Sequence, residues 1–189
     1  MLTQLTFSKK IKETIKILGG EILLVKQTIE GIPFVSESPL VLGVDPGKYF
    51  GMALIGRGKA ILYSGVLDES EISLREAAFR FIRDVALVHQ PDVAVVEGAS
   101  YNERYGQVKL AEIRCGFSLG LSEQDIPVSI VAPKKPRKVV FGNGDIEAMN
   151  VWVSLNHNAA DALCLALMPH YDGRRPSDEI QGLVAKRHK

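Results

Sequence analysis

The chain lacks most of the features that would fix its class at a glance. It has two cysteines in 189 residues, Cys115 and Cys164. Their spacing fits neither a disulfide framework nor a metal-ligand motif, which excludes a stapled scaffold and agrees with a reduced cytoplasm. No apolar run approaches the roughly 18 residues that a membrane span needs, so no membrane partner is expected. An excess of one charge is also missing: 23 basic residues face 22 acidic ones, for a formal net charge of +1. Any argument for nucleic acid must therefore be local. The first residues, MLTQLTFSKKIKETIKILGG, contain no secretory apolar core. Their lysine-rich amphipathic pattern has something of an organelle transit peptide, but they have no arginine and do have Glu13. There is no internal repeat and no low-complexity tract.

What is present describes an ordinary globular protein, 46% apolar and 24% charged, long enough for one domain with modest additions and a real core. Residues 1–38 read as an N-terminal extension. Ser8 is placed to cap a short helix with Ile11, Ile15 and Leu18 on one face, ended by Gly19-Gly20. EILLVKQ and IPFV follow as a short hairpin. This extension binds DNA, mediates a contact or packs on the core; the residues leave the three open.

From residue 39 to 170 the pattern is α/β. Strands are expected at 40–45, 50–56 and 59–66, an antiparallel meander turned at Pro46-Gly47 and Gly56-Arg57-Gly58. A helix follows over 73–90, buried through Leu74, Ala77, Ala78, Phe81, Ile82, Val85 and Val88 and stopped by Pro91. DVAVVEG is a fourth strand, residues 104–121 a helix with Leu110, Ile113 and Phe117 on one face, and IPVSIVAP a fifth strand. A basic loop, KKPRK, and the GNG turn lead to helices at 145–155 and 157–168. The tail, 171–189, is polar. Three strands, helix, strand, helix, strand, helix is the RNase H-like order: a five-stranded mixed sheet flanked by helices on both faces.

Three acids stand out by position. Asp45 ends the first strand, Glu97 ends the fourth, and Asp161 lies in the apolar helix NHNAADALCLAL. In this topology the first and fourth strands are neighbours, and the last helix can lay Asp161 against their ends. Asp45 alone is an ordinary turn residue before Pro-Gly, and Glu97 alone could cap a helix. Asp161, between Ala160 and Ala162, is harder to leave bland, because a buried charge needs a partner. Three carboxylates in one pocket repel one another unless cations neutralise them. Hard oxygen donors suit Mg²⁺, with Mn²⁺ as an alternative. Two such ions per active site, about 4 Å apart, are the arrangement for in-line phosphodiester displacement.

GVDPG, then VVEG, then NAADALCLAL resembles the RuvC family of Holliday-junction resolvases over about residues 39–170, including a GNG turn after a basic segment. The resemblance implies a homodimeric, Mg²⁺-dependent endonuclease acting on four-way DNA junctions, with Asp45, Glu97 and Asp161 as its metal ligands and no nucleotide cofactor. It also implies a cytoplasmic setting, in a bacterium, a phage or an organelle. The chain departs from the family in three ways. Asn158 stands where many relatives carry a fourth acid or a His three residues before the last Asp; its carbonyl could ligate a cation without adding charge. His157, four residues before Asp161, falls on the same helix face and reads either as a ligand or proton shuttle or as an ordinary helix-start residue. The segment before the last helix is shorter, with Glu147 near a position that relatives often give to Lys.

For DNA, the densest basic run is Lys134, Lys135, Arg137 and Lys138, after the fifth strand and so near the carboxylate end of the sheet. Such residues supply affinity without sequence choice; a solvated loop is the plainer reading. Tyr101, Arg104 and Lys109 follow Glu97. The resemblance makes Tyr101 a stand-in for the family's base-holding aromatic, against a core-edge aromatic otherwise. Asn143, between Gly142 and Gly144, forms a turn whose N–H groups could approach phosphate. Three alternatives remain. An actin-like ATPase also opens on a strand followed by D-x-G, but needs a second lobe. A junction binder that cuts weakly is supported by Asn158. A same-fold nuclease could act on another branched DNA or on RNA.

Overall fold

The computed structural model describes residues 6–17, 20–30, 32, 39–56, 58–67, 72–99, 107–152 and 155–171. Eight strands form one mixed sheet: β1 (Thr6–Phe7), β2 (Ile11–Ile17), β3 (Gly20–Glu30), β4 (Val41–Asp45), β5 (Tyr49–Gly56), β6 (Lys59–Val66), β7 (Val93–Glu97) and β8 (Val128–Val131). Their order is β1-β3-β6-β5-β4-β7-β8, with β2 also paired to β3. The β4–β7 and β7–β8 pairs are parallel, and the other pairs are antiparallel. The expected α/β class holds, and the five anticipated strands lie in the order β6-β5-β4-β7-β8.

The strand period of two divides the sheet into two faces. Val41, Ala53, Ile55, Leu62 and Val95 pack beneath α5 (His157–Tyr171) and the end of α3 (Lys134–Phe141). Leu42, Val44, Phe50, Met52 and Val96 face α1 (Leu74–His89) and α2 (Gln107–Ser122). Helix α1 is opened by Ser73, whose hydroxyl accepts from the Glu76 N–H. Its buried stripe matches expectation except that Val88 is exposed and Ala86 is buried instead.

The N-terminal region differs from expectation. Ile11–Ile17 is a strand, not a helix, and all seven of its residues pair with β3. The helical spacing i, i+4 is also an even step along a strand, so Ile11 and Ile15 fit both periods. β-branched residues and a continuous ladder decide the matter. EILLVKQ lies within β3, which pairs with β2 and β6. Phe34 and Val35 of the anticipated hairpin lie outside the described residues. The extension therefore continues the sheet, and the strand count rises from five to eight.

KKPRK, expected as a loop, forms the first turn and a half of α3. Proline reads as a breaker, yet a residue in the first helical turn needs no N–H for the helix ladder. Of the last two helices, the first shrinks to α4 (Ala148–Val151), and α5 runs through Pro169 to Tyr171. Beyond Tyr171, which is buried, the polar tail lies outside the described residues.

Candidate active site

β4 stops where Pro46 removes the next ladder donor, which leaves Asp45 as its last residue, paired with Gly51 of β5. Gly43 and Asp45 share the α5 face by strand alternation. The parallel register Val44↔Val96 puts Glu97 beside Asp45, at the end of β7.

Helix α5 reaches these carboxylates because two glycines let it lie on the backbone of the sheet. A Cβ on Gly43 would come within 2.2 Å of the Ala162 carbonyl oxygen, and one on Gly51 within 2.0 Å of the Asn158 carbonyl oxygen. Both contacts are with backbone, so a side chain at either position would force the helix away from the sheet. The helix start is fixed by Asn156, whose Oδ1 accepts from the Ala159 N–H at 2.8 Å while its Nδ2 donates to Ser64 Oγ at 2.8 Å. Asp161 is thereby held, buried, one turn into α5.

The three acids repel one another. Burial, then the charges of Glu97 and Asp161, push the Asp45 carboxyl well above the usual range, against the opposing pull of Arg114 and Arg137. Asp161 is raised by burial; His157 and Arg137 pull it down, and Glu147 pushes it up. His157 Nε2 lies 3.2 Å from Asp161 Oδ2, and Arg137 Nε lies 3.9 Å from Asp161 Oδ1. Asn158 Nδ2 donates to the Tyr49 carbonyl at 3.0 Å. That bond commits the amide nitrogen of Asn158 to the strand.

Arg137 is therefore half-buried against Asp161 and is not a free member of a surface basic run. Lys134 pairs with Asp145 at 2.5 Å, while Lys135 and Lys138 are exposed. Asn143 is exposed, and its Oδ1 accepts from the Asp145 N–H. The Gly142 N–H is taken by the Lys138 carbonyl, in a left-handed C-cap. Lys109 lies in the first turn of α2 and is exposed. Tyr101 and Arg104 lie outside the described residues.

Arg114 escaped the sequence reading. It interrupts the apolar stripe Leu110–Ile113–Phe117, and a cation on such a stripe was the available signal. Its Nε and that of Arg137 are buried and, among the described residues, have no hydrogen-bond partner. Two guanidinium groups thus flank the acids with hydrogen-bonding capacity unused.

The donor set suits a hard cation. Its members are oxygens, and the upward push on Asp45, from burial first and then from the neighbouring acids, is a cost on the ionised form that a divalent ion relieves. The set is not drawn together as a finished cage: among the described residues, no group of three or more His, Cys, Asp or Glu side chains is arranged to hold one ion.

No family model matches the chain. It is, however, similar to curated proteins named crossover junction endodeoxyribonuclease RuvC. That of Ruegeria pomeroyi is 29% identical over 151 residues, which is 70% of this chain and 92% of the relative. That of Allorhizobium ampelinum is 27% identical over 146 residues, 67% and 86% respectively. The chain resembles RuvC proteins over most of their length, at 27–29% identity. Two solved structures carry the same fold. Thermus thermophilus RuvC aligns with a TM-score of 0.57 at 21% identity, over 71% of this chain and 95% of that one. T. thermophilus RuvC in complex with a Holliday junction substrate aligns with a TM-score of 0.57 at 22% identity, over 72% and 95%.

Proposed function

We propose that this protein is an endonuclease that cuts four-way DNA junctions by metal-dependent phosphodiester hydrolysis, acting as a homodimer in the cytoplasm. The observation that supports the reading is the placement of Asp45, Glu97 and Asp161 on one face of the sheet, with the Asp45 carboxyl raised by burial first and then by the other two. Residues 39–170 would perform the chemistry, with 1–38 accessory to it.

Asp45, Glu97 and Asp161 would hold the cations, and the amide oxygen of Asn158 is the available neutral donor. Two Mg²⁺ ions, or Mn²⁺ in their place, would supply a deprotonated water and neutralise the leaving oxygen, giving a 5′-phosphate and a 3′-hydroxyl. His157, one turn from Asp161, orients that carboxylate as an outer partner. Arg114 and Arg137 suit a phosphate: each has an unused Nε, and a guanidinium binds a phosphoryl group through paired donors. Lys135, Lys138, Lys109 and the turn at Asn143 would add backbone contacts, and Tyr101 with Arg104 would meet opened bases at the crossover.

The test is cleavage of a synthetic four-way junction and of plain duplex, with and without Mg²⁺. Junction-selective nicks should appear only with metal. They should fall by more than about a hundredfold in Asp45→Asn and Asp161→Asn, beyond the loss typical of an outer partner, while junction binding persists. Unchanged cutting by Asp45→Asn would sink the site assignment. A second reading, a junction binder that cuts weakly, is favoured by the open arrangement of the acids and by the uncharged Asn158. Tight junction binding without cleavage in Mg²⁺ or Mn²⁺ is its signature.

A further inference from the structure

The extension puts new surface beside the acids, and the sheet register shows where. One row of paired residues runs Asp45–Gly51–Ser64–Val25–Lys12 across β4, β5, β6, β3 and β2. Paired residues share a face, so Lys12 lies on the same face as the catalytic carboxylates. The next row outward is Tyr49–Val66–Leu23–Thr14. Helix α5 begins over Gly51 and leaves this outer row uncovered: Tyr49 is 65% exposed, Leu23 54% and Val66 37%. These are three of the ten large apolar residues exposed among the described ones, gathered in one line beside the acids.

Among the described side chains of β2, β3 and the segment before β2, the charge on this face has one sign. Lys12, in the Asp45 row, and Lys10, next to it on the inner side, are exposed. Glu13 lies on the opposite face, near Lys26. On the inner rows of β3 and β6, beside the start of α5, the surface dips into a hollow of about 20 Å³ lined by Lys10, Gln27, Ser64 and Asn156. That is room for one water, too small for a ligand of its own. The face suits a chain lying over it.

We propose that the outer row with Lys10 and Lys12 is a track for an unpaired DNA strand leading away from the carboxylates. The inference rests on the nuclease reading for the strand's origin. Its chemistry is independent: an exposed aromatic stacks on any base, and lysines alongside follow the phosphates. Four strand spacings of about 4.8 Å separate β4 from β2, or roughly 19 Å. That is the length of about six stacked nucleotides. The track departs from the acids on the side opposite β8 and α3, and so extends the footprint of the basic helix instead of duplicating it.

The test uses the full chain in EDTA with two fluorescent probes, a (dT)6 oligonucleotide and a four-way junction, read by anisotropy. Tyr49→Leu keeps apolar bulk but removes stacking, and should weaken (dT)6 binding about tenfold; Tyr49→Phe should restore it. Lys12→Gln should lower the slope of log affinity against log salt by about 0.7. Val88→Ser, exposed on a helix of the other face, should change neither. Unaltered (dT)6 affinity in Tyr49→Leu and Lys12→Gln overturns the proposal. So does loss of self-association in Tyr49→Leu by sedimentation velocity, which would assign the face to a second copy of the chain. If the wild type never cuts a junction yet shows the Tyr49-dependent (dT)6 binding, the nuclease reading fails and the track stands.

Discussion

Asp45 is the residue in which stability and chemistry oppose each other. Its carboxyl is raised by burial and by two neighbouring acids, so the folded protein resists ionising it. A folded-state value above the unfolded one contributes stability that is fully present below about pH 3.9 and is lost as pH climbs through the folded value. At neutral pH the buried carboxyl of Asp45 is therefore a standing cost relative to the unfolded chain, and Asn at this position removes it. In EDTA at pH 7, Asp45→Asn should melt about 3 °C above the wild type, and the difference should vanish near pH 3.5. Addition of Mg²⁺ should raise the melting temperature of the wild type but not of the variant, because only a group that binds the cation gains by mass action. A variant that melts lower than wild type in EDTA would show that the repulsion is already relieved within the protein, by Arg114 and Arg137. Arg114 also shows where a residue-by-residue reading stops. Acids at strand ends announce themselves by pattern, but a cation in mid-helix becomes part of the site only when α2 is laid against the sheet.

At the scale of elements, the site depends on how closely α5 approaches β4 and β5. The glycines that permit it were visible in GVDPG and FGMALIG, but as turn and strand residues; their role belongs to a helix a hundred residues later. Gly51→Ala would drive a methyl group into the Asn158 carbonyl, 2.0 Å from the new Cβ. Backbone cannot swing away as a side chain can, so the helix must shift. Overpacking of this kind costs about 1–3 kcal/mol. Because Asp161 rides on the displaced turn, cleavage should drop more than stability does; chemical denaturation and junction nicking on one preparation measure the two. Asn156 tests the same joint from the other side. Asn156→Ala removes the N-cap of α5 and the partner of Ser64 Oγ, a loss of about 1–2 kcal/mol. Asn156→Asp, which retains a capping acceptor, should recover part of it. The strands and long helices could be read from periodicity, since each buries one face. α3 could not, because Pro136 looks like a break until its place in the first turn is known.

The whole molecule is one continuous sheet, which changes the meaning of its N-terminal region. Read from sequence, residues 1–38 are an appendage whose amphipathic spacing fits a helix. The sheet makes Ile11–Ile17 and Gly20–Glu30 strands, because a sequence window cannot see the open edge of β6 that they complete. Eight register pairs join β3 to β6. Ile22 and Leu24 enter the core beneath α1 and α2, while Ile29 enters the one beneath α5. A detachable module would melt by itself and leave the nuclease part unaffected. A strand whose side chains complete both cores should unfold with everything else. Leu24 has no exposed surface and packs in the same core as Phe50, Phe81 and Phe117. Leu24→Ala should therefore lower global stability by about 3 kcal/mol, with one transition seen alike by far-ultraviolet circular dichroism and by Trp152 fluorescence. Trp152 is the single tryptophan of the chain. It lies in the core under α5, on the other side of the sheet from Leu24, and so reports unfolding that has crossed the molecule. Two separated transitions, with the Trp152 signal unmoved by the substitution, would show that the added strands are an independent unit.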